Sequence, residues 1–246
     1  MPAGAALLEL RDISAGYGPF RAIFDVSFSI PERGVVALLG ANGTGKSTIA
    51  RVVSGLVPVD KGALLFEGAD ITHLKAWKIA RRGIMHAPEG RSVFGSLTVE
   101  ENLTLGLARA HGRREVARGL ERAYALFPRL GERRGQDAGT LSGGEQRMLS
   151  LGRVLLDPPH LLVVDELSLG LAPKIVDGLY ATLRHVNDSG TALLIVEQNV
   201  ARAASLARSA VVLRHGHVVY DGSVAGLGDA GDRLLGTAAL HEPAVC

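Results

Sequence analysis

Gly40-Ala41-Asn42-Gly43-Thr44-Gly45-Lys46-Ser47 follows an unbroken apolar run, Val35 to Leu39, and precedes residues that read as a helix up to Gly55. Strand, glycine-rich loop and helix, in that order, is the setting that the G-x-x-x-x-G-K-S spacing of a P-loop requires. Glycines let backbone N–H groups close around phosphate oxygens, and the helix N-terminus behind them adds about half a positive charge. Lys46 is then expected to reach the β- and γ-phosphates of a nucleotide, and Ser47 to ligate Mg²⁺.

A second element fits the same chemistry. Leu161-Leu162-Val163-Val164 is a buried-strand run that ends in Asp165 and Glu166, as expected of a parallel strand whose C-terminal edge faces a ligand. Consecutive strand side chains point to opposite faces, so the two acids can serve different tasks. Asp165 is placed to hold Mg²⁺ through water, and Glu166, past the strand end, to polarise an attacking water. An acid pair after an apolar run is by itself often only a solvated strand end; the P-loop upstream gives it meaning.

The third element is Leu141-Ser142-Gly143-Gly144-Glu145-Gln146. Ser142 and Glu145 have capping-box spacing, so Ser142 should start a helix, while Gly143 and Gly144 let its backbone approach a ligand closely. This segment and the P-loop each read as half of a nucleotide site, and one chain cannot readily bring them together. That points to an ATPase that works as a dimer.

With these residues in place the chain resembles the ATP-binding cassette family over nearly its whole length, and the LSGGEQ signature stands without substitution at Leu141 to Gln146. The resemblance implies an α/β fold: a P-loop NTPase (RecA-like) core with an N-terminal antiparallel β portion and an inserted α-helical lobe. The expected divisions are residues 1–90 and 153–222 for the core, 91–152 for the lobe and 223–246 for a tail, all within one domain. It further implies ATP contacts from Gly40, Asn42, Gly43, Thr44, Gly45, Lys46, Ser47 and Thr48, with Tyr17 stacking on adenine. Ser142, Gly143, Gly144 and Glu145 would meet the γ-phosphate held by the other subunit. Mg²⁺ would be held by Ser47, Asp165 and Glu89, and catalysis carried by Glu166 with Lys46, Gln198 and Glu89.

Departures from the general family pattern narrow the resemblance. Glu89, in Pro88-Glu89-Gly90-Arg91, stands where most cassettes have the Q-loop glutamine. Gln198 replaces the switch histidine, and Ala172 stands where an aspartate is usual in the D-loop, Ser168 to Pro173. The three changes are similar to the pattern of ATPase subunits of branched-chain (hydrophobic) amino-acid importers; Leu167 and Gly95, each where that branch commonly has proline, are small deviations. Gln198 can hydrogen-bond phosphate or water but cannot become cationic, which makes slow hydrolysis plausible. The implied partners are a second cassette, identical or not, two transmembrane permease subunits and, indirectly, an extracytoplasmic solute-binding protein. The implied location is the cytoplasmic face of the plasma (inner) membrane, held peripherally, with the coupling surface near Glu89 to Phe94.

Composition agrees. At 246 residues and 47% hydrophobic content the chain is long enough to bury a large core. Net charge is only +2, with no single-sign run of the kind that reads as a nucleic-acid arm. No stretch approaches the roughly eighteen apolar residues of a spanning helix, and Met1 to Leu10 lacks the pattern of a secretion signal. The one cysteine, Cys246, can form no intrachain disulfide, and no Cys/His spacing suggests zinc.

Further elements can be placed coarsely. Phe24, Val26, Phe28 and Ile30 alternate with polar residues, a half-buried strand in an antiparallel portion beginning near Leu7, with Tyr17 in the turn before it. Ala63 to Glu67 reads as a strand, Leu74 to Arg82 as a helix and Gly83 to Ala87 as a strand. Thr98 with Glu101 makes a second capping box, opening a helix through about Ala108. From Arg109 to Gly135 arginines outnumber acids, a solvated face or a weak lipid-headgroup surface, while Val116, Leu120, Tyr124 and Phe127 keep one apolar stripe. A helix from Pro173 with Val176, Leu179, Leu183 and Val186 inward, a strand from Thr191 to Val196, and a hairpin around Arg214-His215-Gly216 close the chain.

Other ATPases share these motifs. A chromosome-maintenance ATPase separates its halves with long coiled-coil heptads, for which Ser47 to Leu141 is too short. A translation-factor cassette protein normally carries two cassettes, and a non-hydrolysing module would lack Glu166 or Lys46. Urea, amides and aromatic acids stay open as cargo beside branched-chain amino acids.

Overall fold

A computed structural model describes residues 6–90, 92–107 and 113–227; Arg91, Arg109, Cys246 and the tail from residue 228 onward lie outside them. In chain order the elements are β1 (Ala6–Tyr17), β2 (Phe20–Pro31), β3 (Val35–Leu39), α1 (Lys46–Val53), β4 (Val59–Phe66), β5 (Ala69–Asp70), α2 (Ala76–Arg81) and β6 (Ile84–Ala87). There follow α3 (Val99–Leu107), α4 (Arg113–Leu126), α5 (Pro128–Glu132), α6 (Gly143–Val154), β7 (Leu161–Asp165), α7 (Pro173–Asp188), β8 (Ala192–Glu197), α8 (Val200–Ala204), β9 (Ser209–Arg214) and β10 (His217–Ser223).

Two sheets result. The antiparallel one has the order β2-β1-β4-β5, and the other the order β10-β9-β3-β8-β7-β6, parallel from β9 to β6 with β10 added antiparallel at the edge. Four helices, α3 to α6, fall between β6 and β7, so the chain is the α/β fold expected: a P-loop core, an N-terminal antiparallel portion and an inserted helical segment.

The central parallel strands β3, β7 as far as Val164 and β8 as far as Val196 are apolar without interruption because both faces are covered. Parity divides them: Leu161, Val163, Ala192, Leu194 and Val196 join the core under α1 and the antiparallel sheet. Leu162, Val164, Leu193 and Ile195 join the core under α3 to α7. Each such valine, leucine or isoleucine contributes about 1.5–3 kcal/mol of burial. Asp165 continues the first set, so the strand's own period turns it toward α1.

Some expected boundaries shift. The strand read from Ala63 begins at Val59, and the helix read from Leu74 begins at Ala76, because Leu74 N–H closes a turn on the Ile71 carbonyl. Phe24 is not in the buried set: register shifts in the β1–β2 ladder put Ile23 there, and Phe24 stacks on His217 instead. Tyr17 pairs with Phe20 and ends β1, so the turn is Gly18-Pro19 and not Tyr17 itself. The stripes on α4 and α7 and both capping boxes stand as read.

Candidate nucleotide site

The loop after β3 is bent tightly into α1. Gly45, the N-cap, has φ 105° and no side-chain cap bond, and a Cβ there would lie 2.6 Å from the Ile23 Cγ2, so only glycine fits. Thr44 Oγ1 donates to the Ala41 carbonyl (2.9 Å), and the Gly216 N–H donates to the Thr44 carbonyl (3.1 Å), tying the loop to the turn between β9 and β10. The first-turn N–H groups of α1 have no partner one turn back within the helix.

Lys46, 3% exposed, donates from Nζ to the Ala41 carbonyl at 2.9 Å and lies 3.6 Å from Glu166 Oε1. Ser47 Oγ donates to Asp165 Oδ1 at 3.2 Å, the meeting that strand parity anticipates. Thr48 is buried on α1. Burial pushes the Asp165 carboxyl above its ordinary value; Glu166 and Glu89 push the same way, while the Ser47 hydroxyl and Arg51 oppose.

Glu166, 7% exposed, has a left-handed backbone, φ 44°, which costs a non-glycine residue about 1–3 kcal/mol. Its N–H still donates to the Val196 carbonyl at 3.0 Å, so the chain leaves the sheet at that residue and the carboxylate turns toward the loop. Gln198, just past β8, donates from one amide nitrogen to Glu166 Oε1 (2.9 Å) and Asn42 Oδ1 (2.6 Å). Lys46, Asn42, Ser47, Asp165, Glu166 and Gln198 therefore converge from β3, α1, β7 and β8 on one place.

Glu89 is exposed on the turn after β6 and acts on Asp165, Arg51 and Arg147 through its charge. Tyr17 is 44% exposed; its hydroxyl accepts from Arg51 Nη1 at 2.9 Å, and the same guanidinium lies 6.0 Å from its ring centre. The donor set fits a magnesium nucleotide: a hydroxyl and a carboxylate, the hard oxygens Mg²⁺ selects, beside a helix start and a buried ammonium suited to phosphate.

The signature segment is built differently. Ser142 caps α6, accepting from the Glu145 N–H (3.4 Å) and donating Oγ and N–H to Glu145 Oε2 (2.7 and 2.9 Å). Arg133 lies 2.9 Å from Glu145 Oε1, and against burial the Ser142 bonds and the Arg133 and Arg129 charges hold that carboxyl below its ordinary value. A Cβ on Gly144 would lie 3.0 Å from Ile175 Cγ2, so the glycine also seats α6 against α7. Among the described residues no hydrogen bond or ion pair joins Leu141 to Glu145 with Gly40 to Thr48.

Three side chains escaped the sequence reading. Asn102, fully buried, accepts from Phe94 N–H and donates to the Phe94, Leu97 and Thr98 carbonyls, fixing the loop before α3. Glu197 accepts from Ser168 Oγ (3.1 Å) and Tyr180 Oη (2.9 Å), holding the segment after Glu166 against α7. Arg147 bonds to the backbone around Pro88 and Glu166. Asn102 and Arg147 bond mainly to carbonyls, and no side-chain pattern announces a carbonyl.

Among known proteins, the family described as ABC transporter matches residues 23–168. The high-affinity branched-chain amino acid transport ATP-binding protein BraG of Pseudomonas aeruginosa is 40% identical over 221 residues, 90% of this chain and 94% of that one. The lipopolysaccharide export system ATP-binding protein LptB of Escherichia coli K12 is 32% identical over 223 residues, 89% and 91%. A solved ATP-binding cassette of an ABC transporter, in its ADP conformation, has a TM-score of 0.85 at 23% identity and covers 96% of this chain and 99% of that one, which shows a shared fold.

Proposed function

The chain belongs to the ABC transporter family, and we propose that within it this ATPase powers an importer of branched-chain amino acids or related small solutes. The hydrolysis reading rests on one observation above the rest: Glu166, bent out of the sheet at a left-handed backbone, is held 3.6 Å from the Lys46 ammonium and 2.9 Å from the Gln198 amide.

In this reading ATP is the substrate. Lys46 and the first N–H groups of α1 bind its phosphates, with the loop at Gly40, Asn42, Gly43, Thr44, Gly45 and Thr48 shaping the cradle, and Tyr17 packs on the base. Water adds to the γ-phosphorus, the bond to the bridging oxygen breaks, and Glu166 takes the proton from the water. Gln198 orients that carboxylate and its water. Ser47 and Asp165, with Glu89 nearby, would hold Mg²⁺, whose charge neutralises phosphate oxygens. Ser142, Gly143, Gly144 and Glu145 of a second cassette close the site from the opposite side.

Import of hydrophobic amino acids is supported by Glu89, Gln198 and Ala172 together and by the 40% identity to BraG. The 32% identity to LptB, named for export, favours a second reading with a different cargo and direction. In either reading the chain would sit peripherally on the cytoplasmic face of the inner membrane, against two permease subunits and beside a second cassette, with an extracytoplasmic binding protein in the importer and no nucleic-acid partner. Among the described residues no helix is long and apolar enough to cross a membrane.

The test uses the transporter purified with its permease. Glu166→Gln should lower ATP turnover by about a hundredfold or more while ATP still draws the cassettes together; unchanged turnover rejects Glu166 as the base. Leucine, isoleucine or valine, with the cognate binding protein, should stimulate the parent ATPase in vesicles, and stimulation by urea or an aromatic acid alone moves the cargo assignment.

A further inference from the structure

Arg147 lies on α6, five residues past Ser142, and its side chain leaves the helical segment altogether. It is 6% exposed. Nη1 donates to the Pro88 carbonyl at 2.9 Å and to the Gly90 carbonyl, and Nη2 donates to the carbonyls of Asp165 (3.2 Å) and Glu166 (2.6 Å). One planar fork thus grips the backbone on both sides of Glu89 and that of both acids at the end of β7. One of the four carbonyls it holds belongs to Glu166, the residue with the left-handed backbone.

Two more α6 and α3 contacts hold the same loop farther on. Arg153 donates to the Ser92 carbonyl at 2.5 Å and lies 4.8 Å from the Phe94 ring centre, and Asn102 brackets Phe94. Those contacts fix the loop alone. Arg147 differs in joining the loop to the strand end that carries Asp165 and Glu166.

We propose that Arg147 is a positioning residue for hydrolysis: its guanidinium fork sets the backbone of Glu166 and of residues 88–90, and so couples the seating of the signature end of α6 to the catalytic carboxylate of the same chain. α6 is continuous between Ser142 and Arg147, a span of about 7–8 Å at the helical rise, so a shift at its first turn reaches the fork undiminished. The fork, not the charge alone, is what acts. A lysine would keep a cation among Glu89, Asp165, Glu166 and Glu197, the acids whose charges favour the guanidinium, but its point-like ammonium cannot span four carbonyls in two segments.

The proposal rests on Glu166 being the base, and the experiment separates the two. Arg147→Lys, Arg147→Gln and Glu166→Gln are compared with the parent in the purified transporter for kcat and KM. Amide hydrogen exchange and thermal midpoint are measured on the isolated chain. Arg147→Lys should leave KM for ATP within about threefold and lower kcat by about tenfold or more, since small misplacements of a reacting group cost one to two decades. Exchange in residues 88–92 and 165–169 should rise at least about tenfold, with α1 unchanged.

Wild-type kcat in Arg147→Lys overturns the proposal, as does unaltered exchange in those two segments. A loss confined to KM overturns it in favour of nucleotide binding, and a fall in thermal midpoint with kcat per folded chain unchanged overturns it in favour of simple packing. If Arg147→Gln fails to fold, Arg147→Lys, which keeps the buried cation, carries the test. Parent turnover in Glu166→Gln would reject the base assignment by itself, leaving the fork to be judged on exchange.

Discussion

The two halves of the proposed nucleotide site are made in opposite ways. At the P-loop, Lys46, Asp165 and Glu166 are buried at 3%, 2% and 7% exposure and are cross-braced by Ser47, Gln198 and the Ala41 carbonyl. At the signature, Ser142 is exposed and its bonds go back to Glu145 of its own helix. Desolvated charge needs partners fixed in place beforehand, so the first half has the build of a site that binds alone. A capped helix end with two glycines has the build of a surface that meets something supplied from outside.

The sharpest break of that contrast is a pair of substitutions in the isolated chain. Lys46→Met removes the buried ammonium and its charge-assisted bonds, and should weaken ATP binding by about a hundredfold or more. Ser142→Ala should leave ATP affinity within about twofold, lower stability by about 1 kcal/mol through the lost cap, and suppress ATP-driven pairing. Titration calorimetry reads the affinities and light scattering the pairing. Equal losses of affinity in the two variants would dissolve the distinction between the halves.

A smaller effect probes the bracing inside the P-loop half. Gln198→Ala removes two hydrogen bonds, to Glu166 and to Asn42, each worth about 1 kcal/mol or more. kcat should fall about tenfold with KM within about threefold. Unchanged turnover would mean that Lys46 and the backbone suffice to aim Glu166.

How far the sequence carries this contrast depends on what each residue bonds to. The meeting of Ser47 with Asp165 was legible because it follows from strand parity and from the P-loop's fixed order, and the Ser142 cap because its box is local. The strand β1 running on to Tyr17 was not legible, since bulges in the ladder shift the pairing without a signal in alternation. Arg147 was not legible. Its four acceptors are carbonyls from residues 88–90 and 165–166, brought to it by the packing of α6 on β6 and β7, and packing at that range leaves no periodic trace. The same holds for Glu197, which in the fold is buried and accepts from the Tyr180 hydroxyl.

A last test concerns how dry the P-loop side is. His86, on β6 beside this region, has both ring nitrogens buried with no hydrogen-bond partner among the described residues, and burial, aided by the Arg51 charge, depresses it to about 4. A base depressed in the fold binds fewer protons there than in the unfolded chain, where it titrates near 6.5. Its contribution is therefore fully present above about pH 6.5, shrinks as pH falls, and is gone near pH 4. His86→Leu removes the penalty, so its stability relative to the parent should improve by about 2–3 kcal/mol between pH 7 and pH 4.5, read from urea unfolding at each pH. The acids common to both chains cancel in that difference. If the two unfolding curves keep a constant separation across the range, the imidazole is wet, and the sealed interior assigned to this half of the site does not extend to β6.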